Sequence, residues 1–344
     1  MFWLLGFPFL WFNKGIRFHN VAIITHPGVL LLMKKHFSLL LCLLFLFLTA
    51  CGTLSQAEPA PPEEAGMAFT DDLGRQVTVN HPQRVAVLIG SFADIWCLAG
   101  GKDQLVAAAG DTWTQFDLGL PDSVVDLGGV KEINLELLAA AEPDLVIASS
   151  NTAAQVELKD TLEQMGLNTA YFKVASLDEY LHMLDICTQI IGCEENYRQY
   201  GTAILEQVDT AKARINGSAP TVLYVRASGS SCKVKNSQDS VLGEMLADLG
   251  CVNIADSADS LLEELSMEVI LQQDPDYIFA VIQGSDPTKA EAMLDKTLLS
   301  NPAWDTLTAV KEGRFHVMDP NLYNLKPNAR WGEAYEKLAD ILYP

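Results

Sequence analysis

A chain of 344 residues, 49% of them apolar, is long enough for two α/β cores and too long for one comfortable core. It carries 44 acidic residues against 23 basic ones, a formal charge of −21, which excludes the broad basic face that a nucleic-acid binder needs and argues against lying flat on an anionic membrane. The cysteines Cys97, Cys187, Cys193, Cys232 and Cys251 have neither CxxC nor Cys/His ligand spacing, and the histidines beyond the leader, His81, His182 and His316, are scattered, so direct zinc or manganese capture is disfavoured.

The first fifty residues belong to neither core. Met33–His36 is a short basic stretch and Phe37–Phe47 an unbroken apolar run, followed by Leu48-Thr49-Ala50-Cys51. That layout predicts an export signal over residues 33–50, with an apolar run short for a membrane span. Residues 1–32 precede a signal that is complete from Met33, which points to a start at Met33; an extended basic region or a first membrane helix is the alternative. The Leu-Thr-Ala-Cys ending resembles the bacterial lipobox, and that resemblance implies cleavage before Cys51 and a lipid on its thiol. Residues 51–66, small, Pro-rich and acidic, read as a disordered tether.

In chain order, Phe69–Val79 predicts a hairpin around Gly74. Val85–Ile89 predicts a strand that ends in Gly90-Ser91 before a helix over Phe92–Ala99. Such a junction puts backbone N–H groups at the carboxyl edge of a sheet, where open α/β sheets bind ligands. Leu105–Ala109 is a second strand, followed by a loop carrying Trp113. Asn134 is a plausible N-cap for a helix over Leu135–Glu142, ended by Pro143 and leading into a buried strand, Leu145–Ala148, that closes on Ser149 and Ser150. A helix over Gln155–Met165, a strand over Thr169–Phe172 and a helix over Leu177–Ile191 complete a first lobe, residues 67–192.

Glu194–Ile215 has no Pro and predicts a helix of about 33 Å, the connecting element over residues 193–216. The second lobe, residues 217–344, starts with a strand over Thr221–Val225 and a loop over Arg226–Asp239, where Arg226, Lys233 and Lys235 could neutralise an anion or offset nearby acids. Leu265–Ala280 then repeats Ile133–Ala148 at an offset of 132 residues: Ser266 answers Asn134, Glu268 answers Glu136, Pro275 answers Pro143 and Asp276 answers Asp144. Two copies of one helix–strand unit this far apart predict two α/β lobes of similar build. A last strand over Arg314–Met318 and a closing helix over Arg330–Leu342 follow. For the cysteines, one Cys232–Cys251 disulfide is possible, and buried free thiols are the plainer account.

The lipobox, DLGRQVTV with Pro82–Val85, INLELL…EPDLVIAS, LSMEVIL…DPDYIF and NPAWDTLTAVKEGRFHVMD together resemble the helical-backbone (class III) substrate-binding proteins of ABC importers, which serve ferric siderophores, haem and cobalamin. The resemblance covers residues 67–344. It implies two Rossmann-like α/β lobes joined by one long backbone helix, with ligand held in the cleft between them. It also implies a monomeric, lipid-anchored protein outside the cytoplasmic membrane, with no cofactor of its own, that delivers an iron chelate to a permease dimer. Glu136 and Glu268 fall on the family's permease-docking positions; a first-turn glutamate also simply suits a helix dipole. The expected ligand residues are Ser91, Trp113, Ser149 and Asn151 from the first lobe and Arg226, Lys233, Gln283, Tyr323, Arg330 and Trp331 from the second. Trp331 has an alternative place, with Tyr335, on the buried face of the last helix.

A ferric siderophore fits a polar, partly basic and aromatic cleft. Haem would take Tyr323 as its axial ligand, and cobalamin stays open. A chelatase-like enzyme and a structural surface lipoprotein are the competing classes, but the sequence has no nucleophile elbow, no HExxH and no recognisable Ser/His/Asp set.

Overall fold

A computed structural model describes residues 66–344 apart from Asp239 and Ser285; the expected leader, Cys51 and tether lie outside the described residues. Met67–Thr70 (β1) and Gln76–Val79 (β2) form the antiparallel hairpin, turning at Gly74, whose φ of +77° favours glycine. Its apolar face packs on the first lobe, with Phe69 stacked on Phe172 at 5.9 Å.

Continuous apolar runs form the central parallel strands, buried on both faces, with shorter and more exposed strands at the sheet edges. In the first lobe these are Val85–Val87 (β3), Leu105–Ala108 (β4), Val125–Asp126 (β5), Leu145–Ser149 (β6) and Thr169–Phe172 (β7), in the order β5-β4-β3-β6-β7. The second lobe has Thr221–Ala227 (β8), Val252–Asn253 (β10), Tyr277–Ile282 (β11) and Phe315–Met318 (β12), all parallel in the order β10-β8-β11-β12. Cys232–Lys235 (β9) adds antiparallel to the far half of β8.

The sequence repeat is reproduced in structure at its punctuation. Asn134 Oδ1 accepts from the N–H groups of Glu136 and Leu137, both at 3.1 Å, and Ser266 Oγ accepts from Val269 N at 3.4 Å, so both helices have side-chain N-caps. Both helices then end on a non-glycine residue in the left-handed region, Glu142 (φ 45°) and Asp274 (φ 38°), immediately before the proline. The next residue does a third shared job. Asp144 accepts from Gln83 N (2.8 Å) and Arg84 N (3.1 Å), while Asp276 Oδ2 accepts from the N–H and hydroxyl of Thr221, both at 2.8 Å. Each aspartate thus fixes the start of the neighbouring parallel strand, β3 in one lobe and β8 in the other.

The helix Leu177–Ile191 starts with a reciprocal capping box between Ser176 and Glu179 and ends at Gly192, φ 77°. A second helical run, Glu194–Lys212, follows. It is not a uniform α-helix: Arg198–Thr202 widens into a π-turn, and regular helix stops at Lys212, short of the expected Ile215. The closing helix, Trp331–Leu342, packs along Ala203–Lys212. Gly332 sits so close to Gln207 that an added Cβ would collide with that side chain.

One apolar cluster runs through both lobes, taking in Phe92, Trp96 and Tyr180 from the first and Tyr224, Phe279, Trp331 and Tyr335 from the second. Trp331 is fully buried, its ring 6.4 Å from that of Tyr180 and 6.3 Å from that of Tyr335. All five described cysteines are free thiols, so Cys232 and Cys251 are not bridged.

Candidate functional site

The carboxyl edges of the two sheets open on a common cleft with two compartments that share Asn324. One, about 300 Å³, is lined by Asn151, Val174 and Ala175 from the loops after β6 and β7. Across from them stand Tyr224, Arg226, Ser240 and Val241 from the β8 side, and Tyr323, Asn324 and Lys326 from the segment after β12. The other, about 510 Å³, lies between Asp111 and Gln115 of the first lobe and Gln283, Glu291, Met318, Asn321 and Leu325 of the second. These volumes suit a small chelate.

Local folding explains how the first lobe presents so few charges here. Gly90 begins the helix Gly90–Leu98, and its N–H donates to Asp111 Oδ1 at 2.9 Å. A Cβ at Gly90 would lie 2.7 Å from the backbone nitrogen of Thr112, so only glycine permits this approach. Burial raises the Asp111 carboxyl above its ordinary value, and the Gly90 N–H opposes that shift. The loop after β6 is held by Gln155, which is buried. Its Oε1 accepts from Ser149 N at 2.8 Å, and its Nε2 donates to Leu88 O and Val130 O.

In the second lobe the segment expected as a loop after Thr221–Val225 is instead the hairpin β8–β9. Its register sets Tyr224 opposite Lys235 and Arg226 opposite Lys233. Directly opposed residues share a face, and so do residues two apart, so all four side chains stand on one face of the hairpin. Tyr224 is buried and its hydroxyl has no hydrogen-bond partner within the described protein. Burial pushes its phenol up to about 12, with Arg226 pulling it back. Arg226 Nη1 donates to Asn324 Oδ1 at a long 3.4 Å and forms no ion pair with a described carboxylate. Lys326 is half-buried; burial lowers its ammonium below the ordinary value, while Asp111 and Glu179 act to raise it.

Of the expected ligand residues, the structure brings Asn151, Arg226 and Tyr323 to the smaller compartment and Gln283 to the larger. Tyr323 contributes only its ring. Its hydroxyl donates to Ala334 O at 3.0 Å, and burial drives the phenol well above its usual value, so it is unsuited to be a haem axial ligand. Trp113 lies on a short helix, Asp111–Gln115, beside the cleft; it is 42% exposed and lines neither compartment.

The structure places the remaining expected residues outside these two compartments. Trp331 is core, because the closing helix turns that face onto Tyr180. Ser91 is buried in the first helical turn, where its carbonyl accepts from Asn328 Nδ2 at 2.8 Å. Ser149 is buried, and its hydroxyl accepts from Asn151 N at 3.2 Å, which shapes the loop without facing a ligand. Lys233 is exposed on β9 and lines neither compartment. Arg330 is tied on the surface to Glu333 by two hydrogen bonds of 2.7 and 3.0 Å.

Sequence reasoning missed Lys326, Tyr224 and Asn324. Tyr224 reads as one more apolar strand residue, and Lys326 as a surface lysine; their roles show only once the β8–β9 hairpin and the segment after β12 are brought together. Asn328 was also missed. With φ 49° it bridges the lobes, donating from Nδ2 to Ser91 O and to Asp94 Oδ2, both at 2.8 Å.

Glu136 and Glu268 are exposed, each in the first turn of its capped helix. Among the described residues, no three His, Cys, Asp or Glu side chains converge as a metal site.

A family described as periplasmic binding proteins matches residues 85–322. Among curated relatives, a putative ABC transporter substrate-binding lipoprotein of Bacillus subtilis, YhfQ, is 24% identical over 309 residues, covering 86% of this chain and 93% of its own. The ferric-anguibactin-binding protein FatB of Vibrio anguillarum is 25% identical over 302 residues, covering 83% and 89%. Among solved structures, Staphylococcus aureus SirA complexed with staphyloferrin B superposes with a TM-score of 0.62 at 20% identity, covering 80% of this chain and 97% of its own, a likeness of fold.

Proposed function

The chain belongs to the periplasmic binding protein family, and from that premise we propose that it captures an iron chelate, a ferric siderophore or similar complex, and hands it to an ABC permease. The observation that carries this reading is the cleft. Loops at the carboxyl edges of both sheets meet there, with polar groups from the first lobe opposed by Arg226, Tyr224 and Lys326 from the second. The names of the relatives support an iron chelate as cargo. On this reading the protein works outside the cytoplasmic membrane, held by a lipid on Cys51, as a monomer that binds its cargo without turning it over.

Glu136 and Glu268 are then the docking carboxylates, one per lobe, each meeting a basic residue of one half of a permease dimer. Their equivalent placement in the repeat supports the pairing. The test is tryptophan fluorescence of the segment Glu64–Pro344, a single compact unit that contains every core residue described above. Titration with ferric citrate, a ferric trihydroxamate, a ferric tris-catecholate, haem and cobalamin should give saturable submicromolar quenching with a ferric chelate. If none of the five saturates, the capture reading is wrong.

A further inference from the structure

The two lobes offer the cleft unequal chemistry, and the imbalance identifies the class of cargo. Many cations that the structure describes lie against a carboxylate, among them Arg75 on Asp71, Lys212 on Asp248, Arg214 on Asp340 and Arg330 on Glu333. In so acidic a chain that is the expected arrangement. The two cations of the cleft stand outside these pairs and line a cavity. Arg226 and Lys326 line the smaller compartment, and neither forms an ion pair with a described carboxylate. Arg226 also stands directly opposite Lys233 across the hairpin. A like-charge cross-strand pair is destabilising, and an anion seated on this face would relieve it. The buried Tyr224 hydroxyl, which has no partner of its own, supplies a further donor to the same compartment.

The larger compartment differs. Its polar groups are Gln115, Gln283, Asn321 and Asn324, with the carboxylates Asp111 and Glu291. An anionic group is favoured at the Arg226–Lys326 end and disfavoured at the other. The wall of the smaller compartment sets Asn151, Ser240 and Asn324 beside the two cations, with the rings of Tyr224 and Tyr323 completing it.

We infer that the cargo is a ferric chelate of net negative charge whose carboxylate oxygens seat on Arg226 and Lys326, with Tyr224 donating a third hydrogen bond. This rests on the capture reading above and adds the cargo's charge and chemical class to it. A carboxylate accepts charge-assisted bonds from a guanidinium and an ammonium at once. A ferric trihydroxamate, in which three hydroxamate anions balance the iron, would bring no net charge to the two cations. Because the chain as a whole repels anions, this cationic wall must do the attracting locally.

The test compares ferric citrate, a ferric trihydroxamate without net negative charge and a ferric tris-catecholate on the segment Glu64–Pro344, by fluorescence quenching and by shift in melting temperature. The wild type should bind ferric citrate most tightly, with affinity falling as salt rises. Arg226→Gln and Lys326→Met should each weaken it by roughly tenfold or more, and Lys326→Arg should restore most of the loss. The melting temperatures of the unliganded variants report whether they fold. The hairpin makes a further prediction: Lys233→Gln, which removes the like-charge pair, should raise the melting temperature without ferric citrate and reduce the extra stabilisation that ferric citrate confers.

Tightest binding of the trihydroxamate, or ferric citrate binding that is indifferent to Arg226 and Lys326 in folded variants, would overturn the inference while leaving capture intact. Preference for the tris-catecholate would overturn the carboxylate class. If no ferric chelate saturates, the capture reading falls and takes this inference with it.

Discussion

The two lobes share a scaffold and differ where they face each other. Helix caps, the left-handed residue before the proline, the strand-fixing aspartate and the exposed first-turn glutamate occur in both copies at one offset. At the cleft the likeness stops: the first lobe supplies amides, backbone and a half-buried carboxyl, the second a cationic hairpin and a half-buried lysine. On the proposed reading, the features that would serve both halves of a symmetric permease are the duplicated ones, and those that would read an asymmetric small molecule are not. That reading separates docking from recognition, and variants in one set should leave the other untouched.

The largest expected effect tests that separation. Glu136→Ala with Glu268→Ala should leave ferric citrate binding unchanged and reduce uptake in cells by roughly tenfold or more, as expected on losing two interfacial charges. Equal, partial losses in the single variants would show that the lobes dock alike. A loss of binding in the double variant would break the separation.

Trp331→Ala comes next. A fully buried indole shared by both lobes should cost about 3–5 kcal/mol when truncated. Denaturant unfolding should still show one transition, because one apolar cluster spans both lobes. Two resolved transitions would mean that the lobes are energetically independent.

Asp144→Ala and Asp276→Ala remove equivalent strand-start bonds and should cost about 1–2 kcal/mol each. Unequal costs in chemical denaturation would show that the repeat is equivalent in geometry but not in energy.

The smallest effect concerns Glu333, present on one lobe only. Hydrogen bonds from Arg330 and Lys337 hold its carboxyl at about 2, against an ordinary 4.5. The folded value lies below the unfolded one, so the contribution is full above pH 4.5 and is lost as pH falls toward 2. The three side chains are well exposed, so screening limits it to about 0.5 kcal/mol or less. Glu333→Gln should flatten the acid side of the stability profile by no more than that.

The duplicated half of the molecule was the legible half. Local signals fixed it: Asn134 and Ser266 before apolar helical turns, Pro143 and Pro275 after them, and aspartate before an apolar strand. The cleft was legible only where a residue directly followed a predicted strand, as with Asn151, Arg226 and Gln283. Ser91 and Ser149 fit the same rule by sequence and are buried, as is Trp331 of the closing helix, because burial depends on how that helix and the Asn328 strap cross between lobes. The Arg226–Lys233 pairing depends on a strand that a Gly- and Ser-rich segment disguised. Lys326 depends on a chain path set by β12, a strand in the other half of the second lobe's sheet.

The most direct test of capture between lobes is backbone hydrogen exchange on the segment Glu64–Pro344 with and without saturating ferric citrate. The account predicts slowed exchange on both sides of the cleft at once, around Asn151 and Val174–Ala175 in the first lobe and around Tyr224–Ala227 and Asn324–Lys326 in the second, with the helices bearing Glu136 and Glu268 unchanged. Protection confined to one lobe, or centred on those two helices, would contradict it.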